Sequence, residues 1–272
     1  MNSIKKKLDG VLKLDKLPKE IIISTMTITC KIDNNTNQEF VFDCENIAKY
    51  IDLKKDAIGS VIYGVQGNIE TNRSIKSSLM KDRNKKIKKR SFFNQVTLKI
   101  FVKSKIKPIN VKLFKNGSIQ MTGCKSILNI VEVLQILFNE LKIIKHGKSF
   151  VNDINLLDID HVINIQIVMI NSYFNIEFKI DLNKLHDLLI ENHYFCLYDS
   201  DKHAGVNIKY EYDDKSITIL VFETGNIIIT GATTCDQINE AYKFINKKIL
   251  ENFYRVIKYE NEIDIIKLLA NT

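Results

Sequence analysis

Residues 217–250 read ITILVFETGNIIITGATTCDQINEAYKFINKKIL, and their pattern is a β-hairpin running into a long amphipathic helix. Ile217 to Phe222 is a β-branched and apolar run, the composition of a strand. Glu223-Thr224-Gly225 supplies a tight turn, with glycine free to take positive φ. Ile227 to Ile229 returns as the second strand, and Thr230-Gly231 closes it. Thr234 and Gln237 stand at capping-box spacing and open a helix. Ile238, Ala241, Tyr242, Ile245 and Ile249 then recur at helical intervals.

The same design occurs once more. Residues 111–141 read VKLFKNGSIQMTGCKSILNIVEVLQILFNEL. Phe114-x-x-Gly117 matches Phe222-x-x-Gly225, and Thr122-Gly123 matches Thr230-Gly231. Upstream, FNQVTLKI at 93–100 lines up with HAGVNIKY at 203–210. Copies separated by roughly 110 residues are too far apart for a solenoid. They predict a duplicated half-domain, with two copies about a pseudo-twofold axis.

Both faces of the predicted strands are apolar. Ile217, Ile219 and Val221 can face the helix. Leu220 and Phe222 then face the other way, joined by Ile228 and Thr230 from the return strand. A single-layer sheet with an exposed apolar face is a binding surface.

Phe-x-x-Gly, four further residues, Thr-Gly and a long helix, present twice in register, resemble the core of the TATA-box-binding protein family. The resemblance takes in ISTMTITCKID at 23–33 and INSYFNIEFKIDLNKL at 170–185. It covers roughly residues 19–141 and 163–250. It implies an α+β saddle of two pseudo-symmetric repeats, each a curved antiparallel sheet backed by helices. The expected division is a lead-in at 1–18, repeat one at 19–145 with a basic insertion at 67–91, a linker at 146–162, repeat two at 163–257 and an extension at 258–272.

By the same resemblance the protein is a transcription initiation factor that binds and bends AT-rich promoter DNA through the minor groove. Pressing an apolar sheet and aromatic wedges into a widened groove is what this family is known for. The wedge positions fall on Phe93 and Phe114 in repeat one and on His203 and Phe222 in repeat two. Thr122 and Thr230 keep the family's groove-facing threonines. Leu220 and Ile228 keep its apolar contacts, and Lys99 and Lys209 stand where it has phosphate-contacting arginines. Lys112 and Gln120 replace apolar residues in repeat one, and Asn171 replaces one in repeat two. The family's base-contacting asparagines align with Ile21 and Met169. The divergence, the insertion and the AT-rich composition resemble the TATA-binding-like proteins of large DNA viruses. The implied partners are double-stranded DNA, a TFIIB-like factor and RNA polymerase, with the chain a monomer in the nucleus or, if viral, in a cytoplasmic factory or virion. The alternative is an assembly platform that keeps the fold without touching DNA.

Composition agrees with an acidic partner. The 272 residues carry a formal net charge of +8, which favours nucleic acid over a membrane surface; codon bias toward Lys, Ile and Asn accounts for part of the excess. Lys81 to Arg90 holds seven basic residues and one acid, either a solvated loop or a phosphate-contacting or targeting segment. Ser104 to Pro108 and Tyr212 to Lys215 take the places of the family's two loop "stirrups". The five cysteines form no CxxC pair, so a reducing compartment is expected. No apolar run reaches the ~18 residues of a membrane span. The five histidines form no metal-binding motif, and phosphate-loop and nucleophile-elbow motifs are missing, so the chain reads as a non-enzyme with no cofactor.

Overall fold

The computed structural model describes residues 2–33, 39–65, 68–75, 94–143 and 150–259. Helix α1 (Asn2–Leu12) comes first, then strand β1 (Ile22–Ile32), helix α2 (Cys44–Tyr50), and strands β2 (Ile58–Val65) and β3 (Asn68–Ser74). Strands β4 (Gln95–Val102), β5 (Lys105–Phe114) and β6 (Ser118–Cys124) lead into α3 (Ile127–Lys142). After β7 (Val162–Asn175) come α4 (Leu182–Glu191), the short β8 (Cys196–Leu197), β9 (Gly205–Tyr212), β10 (Lys215–Phe222), β11 (Asn226–Ala232), α5 (Cys235–Glu251) and α6 (Phe253–Val256).

These elements form two units. Met1–Leu12 and Thr25–Val168 make the first, and Lys13–Ser24 with Met169–Thr272 make the second. Unit 1 has the antiparallel strand order β3-β2-β4-β5-β6-β1, with β1 counted from Thr25, and unit 2 the order β7-β11-β10-β9-β8, with β7 counted from Met169. Each sheet carries its long helix on one face, so the class is α+β as expected.

The helices follow from their sequences. Thr234 accepts a hydrogen bond from the Gln237 amide, and Gln237 reaches back to the Thr234 amide, completing the capping box at α5. Ser126 caps α3 in the same position. The α3 stripe Ile130, Val131, Leu134, Leu137, Phe138 and Leu141 is buried, as are Ile238, Ala241, Ile245 and Ile249 of α5. Burying each such side chain contributes about 1.5–3 kcal/mol.

The two hairpin turns are built alike. Gly117 and Gly225 have φ of +78° and +79°, and each amide donates to the carbonyl of the phenylalanine three residues back, Phe114 or Phe222. A β-carbon at Gly117 would lie 2.3 Å from the carbonyl oxygen of Phe40. Phe40 stands three residues before Asp43, the N-cap of α2, and Phe178 stands three before Asp181, the N-cap of α4. The repeat therefore includes a Phe-x-x-Asp helix start as well as the hairpin.

Several expectations need correction. The lead-in at 1–18 contains a helix whose Ile4, Leu8 and Leu12 are fully buried, with α1 packed on α3. The stretch at 58–66, unplaced from sequence, supplies β2, paired with β4. Within the insertion 67–91, residues 68–74 form the strand β3 at the end of the unit 1 strand order; residues 76–91 lie outside the described set. The first stirrup is shorter than expected, because Val102 already pairs with Lys105. The second turns through Asp213 and Asp214, both at φ +52°, as a two-residue type I′ turn requires. Helix α5 stops at Glu251. Of the extension expected at 258–272, residues 260–272 lie outside the described set.

Candidate nucleic-acid interface

Unit 2 presents the apolar face that its sequence demands. In β10 Ile217, Ile219 and Val221 are fully buried against the helix side, while Leu220 and Phe222 are half-buried on the other. Leu220 stands directly across from Ile228, and Thr218 across from Thr230. Ile228 in turn faces Tyr173 on β7, a residue 37% exposed. Phe222 pairs with Gly205, and the absence of a side chain there matters: a β-carbon would lie 3.1 Å from the Phe222 ring. Glycine lets the ring lie down against its neighbour strand. Phe222, Ile228, Tyr173, Ala204, Thr224 and Ser24 help line a cleft of about 530 Å³. His203, one residue before Ala204, is exposed, and its amide donates to the Asp199 carbonyl oxygen at 2.8 Å.

Two pairs of polar groups on this face are tied to one another, while Asn207 Oδ1 is buried without a partner among the described residues. Thr230 Oγ1 donates to Asn171 Oδ1 at 2.5 Å, and Lys209 Nζ donates to Thr218 Oγ1 at 2.6 Å. Asn171, read as a departure from an apolar position, thus satisfies the hydroxyl beside it.

Unit 1 has the same framework with different chemistry. Phe114 is half-buried and pairs with Gln95, as Phe222 pairs with Gly205. Thr122 Oγ1 accepts from Thr27 Oγ1 at 3.3 Å. Lys112 stands between Thr97 and Gln120, half-buried. Lys99 faces Asn110. Phe93, the other expected wedge, lies outside the described residues. Beneath the face, Cys30 and Cys124 are buried, and loss of hydration pushes both thiols up to about 12. Burial also lowers the pKa of Lys105 at the start of β5.

The register corrects one alignment. Met26 faces Cys124 as Ile170 faces Ala232, so the counterpart of Met169 in unit 1 is Thr25, not Ile21. Ile21 is a buried residue ahead of β1. Tyr173 and Asn207 were also missed as face residues; the alternation of β7 and β9 about the buried Phe174 and Ile208 was the signal for them.

Comparison with known proteins places this geometry. A TATA-box-binding protein-like protein of Acanthamoeba polyphaga mimivirus is 37% identical over 260 residues, covering 88% of this chain and 67% of that protein. The chain belongs to the TATA-box-binding protein family. The family model for transcription factor TFIID (or TATA-binding protein, TBP) matches residues 164–253, the repeat with the apolar face. The TATA-box-binding protein of Sulfolobus acidocaldarius is 27% identical over 139 residues, 51% of this chain and 62% of its own length. The chain therefore spans less than two thirds of that archaeal relative. The solved structure of Methanococcus jannaschii TBP superposes with a TM-score of 0.54 at 18% identity, over 85% of this chain and 99% of that one, which establishes a TATA-box-binding protein fold.

Proposed function

We propose that the protein is a transcription initiation factor that binds and bends AT-rich promoter DNA through the minor groove. The observation that carries this reading is the face of unit 2, where Phe222, Leu220, Ile228 and Tyr173 form an accessible apolar surface in a member of this family. An A·T minor groove displays few polar groups on its floor, so apolar side chains can lie against it without orphaning donors. Phe114 and Phe222 are the wedges, with Phe93 and His203 as their proposed partners. Wedge insertion and duplex kinking are the family's established behaviour, and flexible TA steps make the deformation cheaper. Thr122 and Thr230 face the groove, and Lys99, Lys209 and Lys112 contribute positive charge. A TFIIB-like factor and RNA polymerase are the proposed protein partners, the chain acts as a monomer and catalyses no reaction, and the proposed site of action is the nucleus or a viral factory.

The test is fluorescence anisotropy with a TA-rich and a GC-rich duplex of equal length across a salt series. The TA-rich duplex is expected to bind more tightly, and Phe222→Ala to weaken it by about tenfold or more, the loss of one well-buried apolar contact. Equal, steeply salt-dependent binding of both duplexes that ignores Phe222→Ala would leave only non-specific charge attraction. That result would favour the assembly-platform reading, for which the polar face of unit 1 is the supporting observation.

A further inference from the structure

The hairpins of the two units can be compared station by station. In unit 2 a row crosses four strands as Asn207, Leu220, Ile228 and Tyr173, each directly opposite the next. The same station of unit 1 reads Thr97, Lys112, Gln120 and Thr29. The stations correspond because Phe114 pairs with Gln95 two residues from Lys112, as Phe222 pairs with Gly205 two residues from Leu220. In both rows the flanking residues are buried on the helix side, Leu113 and Ile119 in one and Val221 and Ile227 in the other. The four polar side chains therefore point to the same side as Leu220 and Ile228. Among the described residues, neither the Lys112 nor the Gln120 side chain has a hydrogen-bond partner. Elsewhere on these faces some polar side chains pair with each other, as Thr27 with Thr122 and Thr230 with Asn171, while Asn207 Oδ1 in the unit 2 row is buried without a partner among those residues. The middle of this row is left open.

We infer that the row of unit 1 reads minor-groove hydrogen bonds and accepts G·C base pairs, while the row of unit 2 restricts its base pairs to A·T. This rests on the DNA-binding reading above and deepens it. A·T pairs show only acceptors in the minor groove, and a G·C pair adds the guanine N2 amino donor. Pressed against Leu220 and Ile228, that amino group would be stripped of water with no exposed acceptor to receive it, because Asn207 Oδ1 beside Leu220 is buried, and this disfavours binding. The Gln120 side-chain carbonyl can accept from it, and the Gln120 amide and Lys112 ammonium can donate to the adenine, guanine and pyrimidine acceptors. Lys112 and Gln120 are thus specificity-determining residues, and the target is a duplex of mixed composition with an A·T-only part.

The experiment is selection from a randomised duplex library with the full chain, followed by anisotropy on point-substituted duplexes. Three proteins are compared: the native chain, Lys112→Leu/Gln120→Val, and Leu220→Lys/Ile228→Gln. The native chain is expected to enrich sequences that hold both an A·T-only run and a run in which G·C is accepted. Lys112→Leu/Gln120→Val should lower G·C acceptance at those pairs by about tenfold, the effect of one orphaned donor, and leave the A·T-only run unchanged. Leu220→Lys/Ile228→Gln should relax that run instead. An A·T preference across the whole native element, or an unchanged profile in both variants, would overturn the inference alone. Failure of the native chain to enrich any sequence would overturn the DNA-binding reading along with it. A thermal melt of each variant establishes that these half-exposed substitutions leave the fold in place.

Discussion

Gly225 approaches the carbonyl oxygen of Phe178 so closely that a β-carbon on it would lie 2.4 Å away. The turn after β10 is thereby locked against the segment that leads into α4. Gly225→Ala is expected to destabilise the protein by well over the ~1–2 kcal/mol that left-handed backbone alone costs an alanine. Gly117→Ala, 2.3 Å from Phe40, should match it. Gly231→Ala is the control: its φ is +91°, but a β-carbon there would meet nothing nearer than the Ser216 carbonyl oxygen at 3.4 Å, so only the backbone cost should appear. Urea unfolding midpoints of the three variants check the order.

The buried thiols of unit 1 make stability fall in alkali. Dehydration raises Cys30 first and foremost, with the nearby Cys124 adding to it, from 9.0 to about 12; Cys124 rises equally, with Lys105 opposing. The folded state thus keeps protons that the unfolded chain releases above 9.0. Stability from this source is complete below that pH and lost as pH climbs toward 12, by up to about 1.4 kcal/mol per pH unit for each thiol. Cys30→Ala should be less stable at neutral pH, because it leaves a cavity, yet lose less between about pH 9 and about pH 11. Parallel slopes for the two proteins would refute this.

Lys54 Nζ meets both carboxylate oxygens of Glu140, at 2.8 and 2.7 Å. Glu140 is nearly buried, whereas the Lys54 side chain is partly exposed. Lys54→Met should cost about 1–2 kcal/mol, less than a fully buried pair because water still reaches the lysine. Lys54→Met/Glu140→Gln should recover most of that loss, since no unpaired carboxylate remains. A double-mutant cycle by chemical denaturation reads the coupling.

The parts legible in the sequence are those where one residue type answers one geometric demand. Positive φ at Gly117 and Gly225, the Thr234–Gln237 cap and the buried stripe of α3 each leave a local signature. The parts that were not legible depend on distant partners. Strand β3, NIETNRS, lacks an alternating apolar face because it ends the strand order of its unit, so it reads as loop. Strand β2 is punctuated by Gly59, where a β-carbon would strike the Phe101 ring at 2.4 Å, a fit invisible without β4. At the candidate site, Leu220, Phe222 and Ile228 were found by alternation within one hairpin. Tyr173, on β7, joins them only through pairing across more than fifty residues of chain. The correct register of β1 likewise needed β6.

The path of the chain between the units has a consequence for synthesis. Lys13–Ser24 belongs with Met169–Thr272, whereas the residues on either side of it, through Leu12 and from Thr25, belong elsewhere. A ribosome therefore releases this twelve-residue segment more than a hundred residues before the strands it will join. Unit 1 can be completed while that segment still waits, and no single cut of the chain yields the two units as separate polypeptides. Whatever ancestral doubling produced the twin hairpins, the halves have since become interdependent products of one translation event.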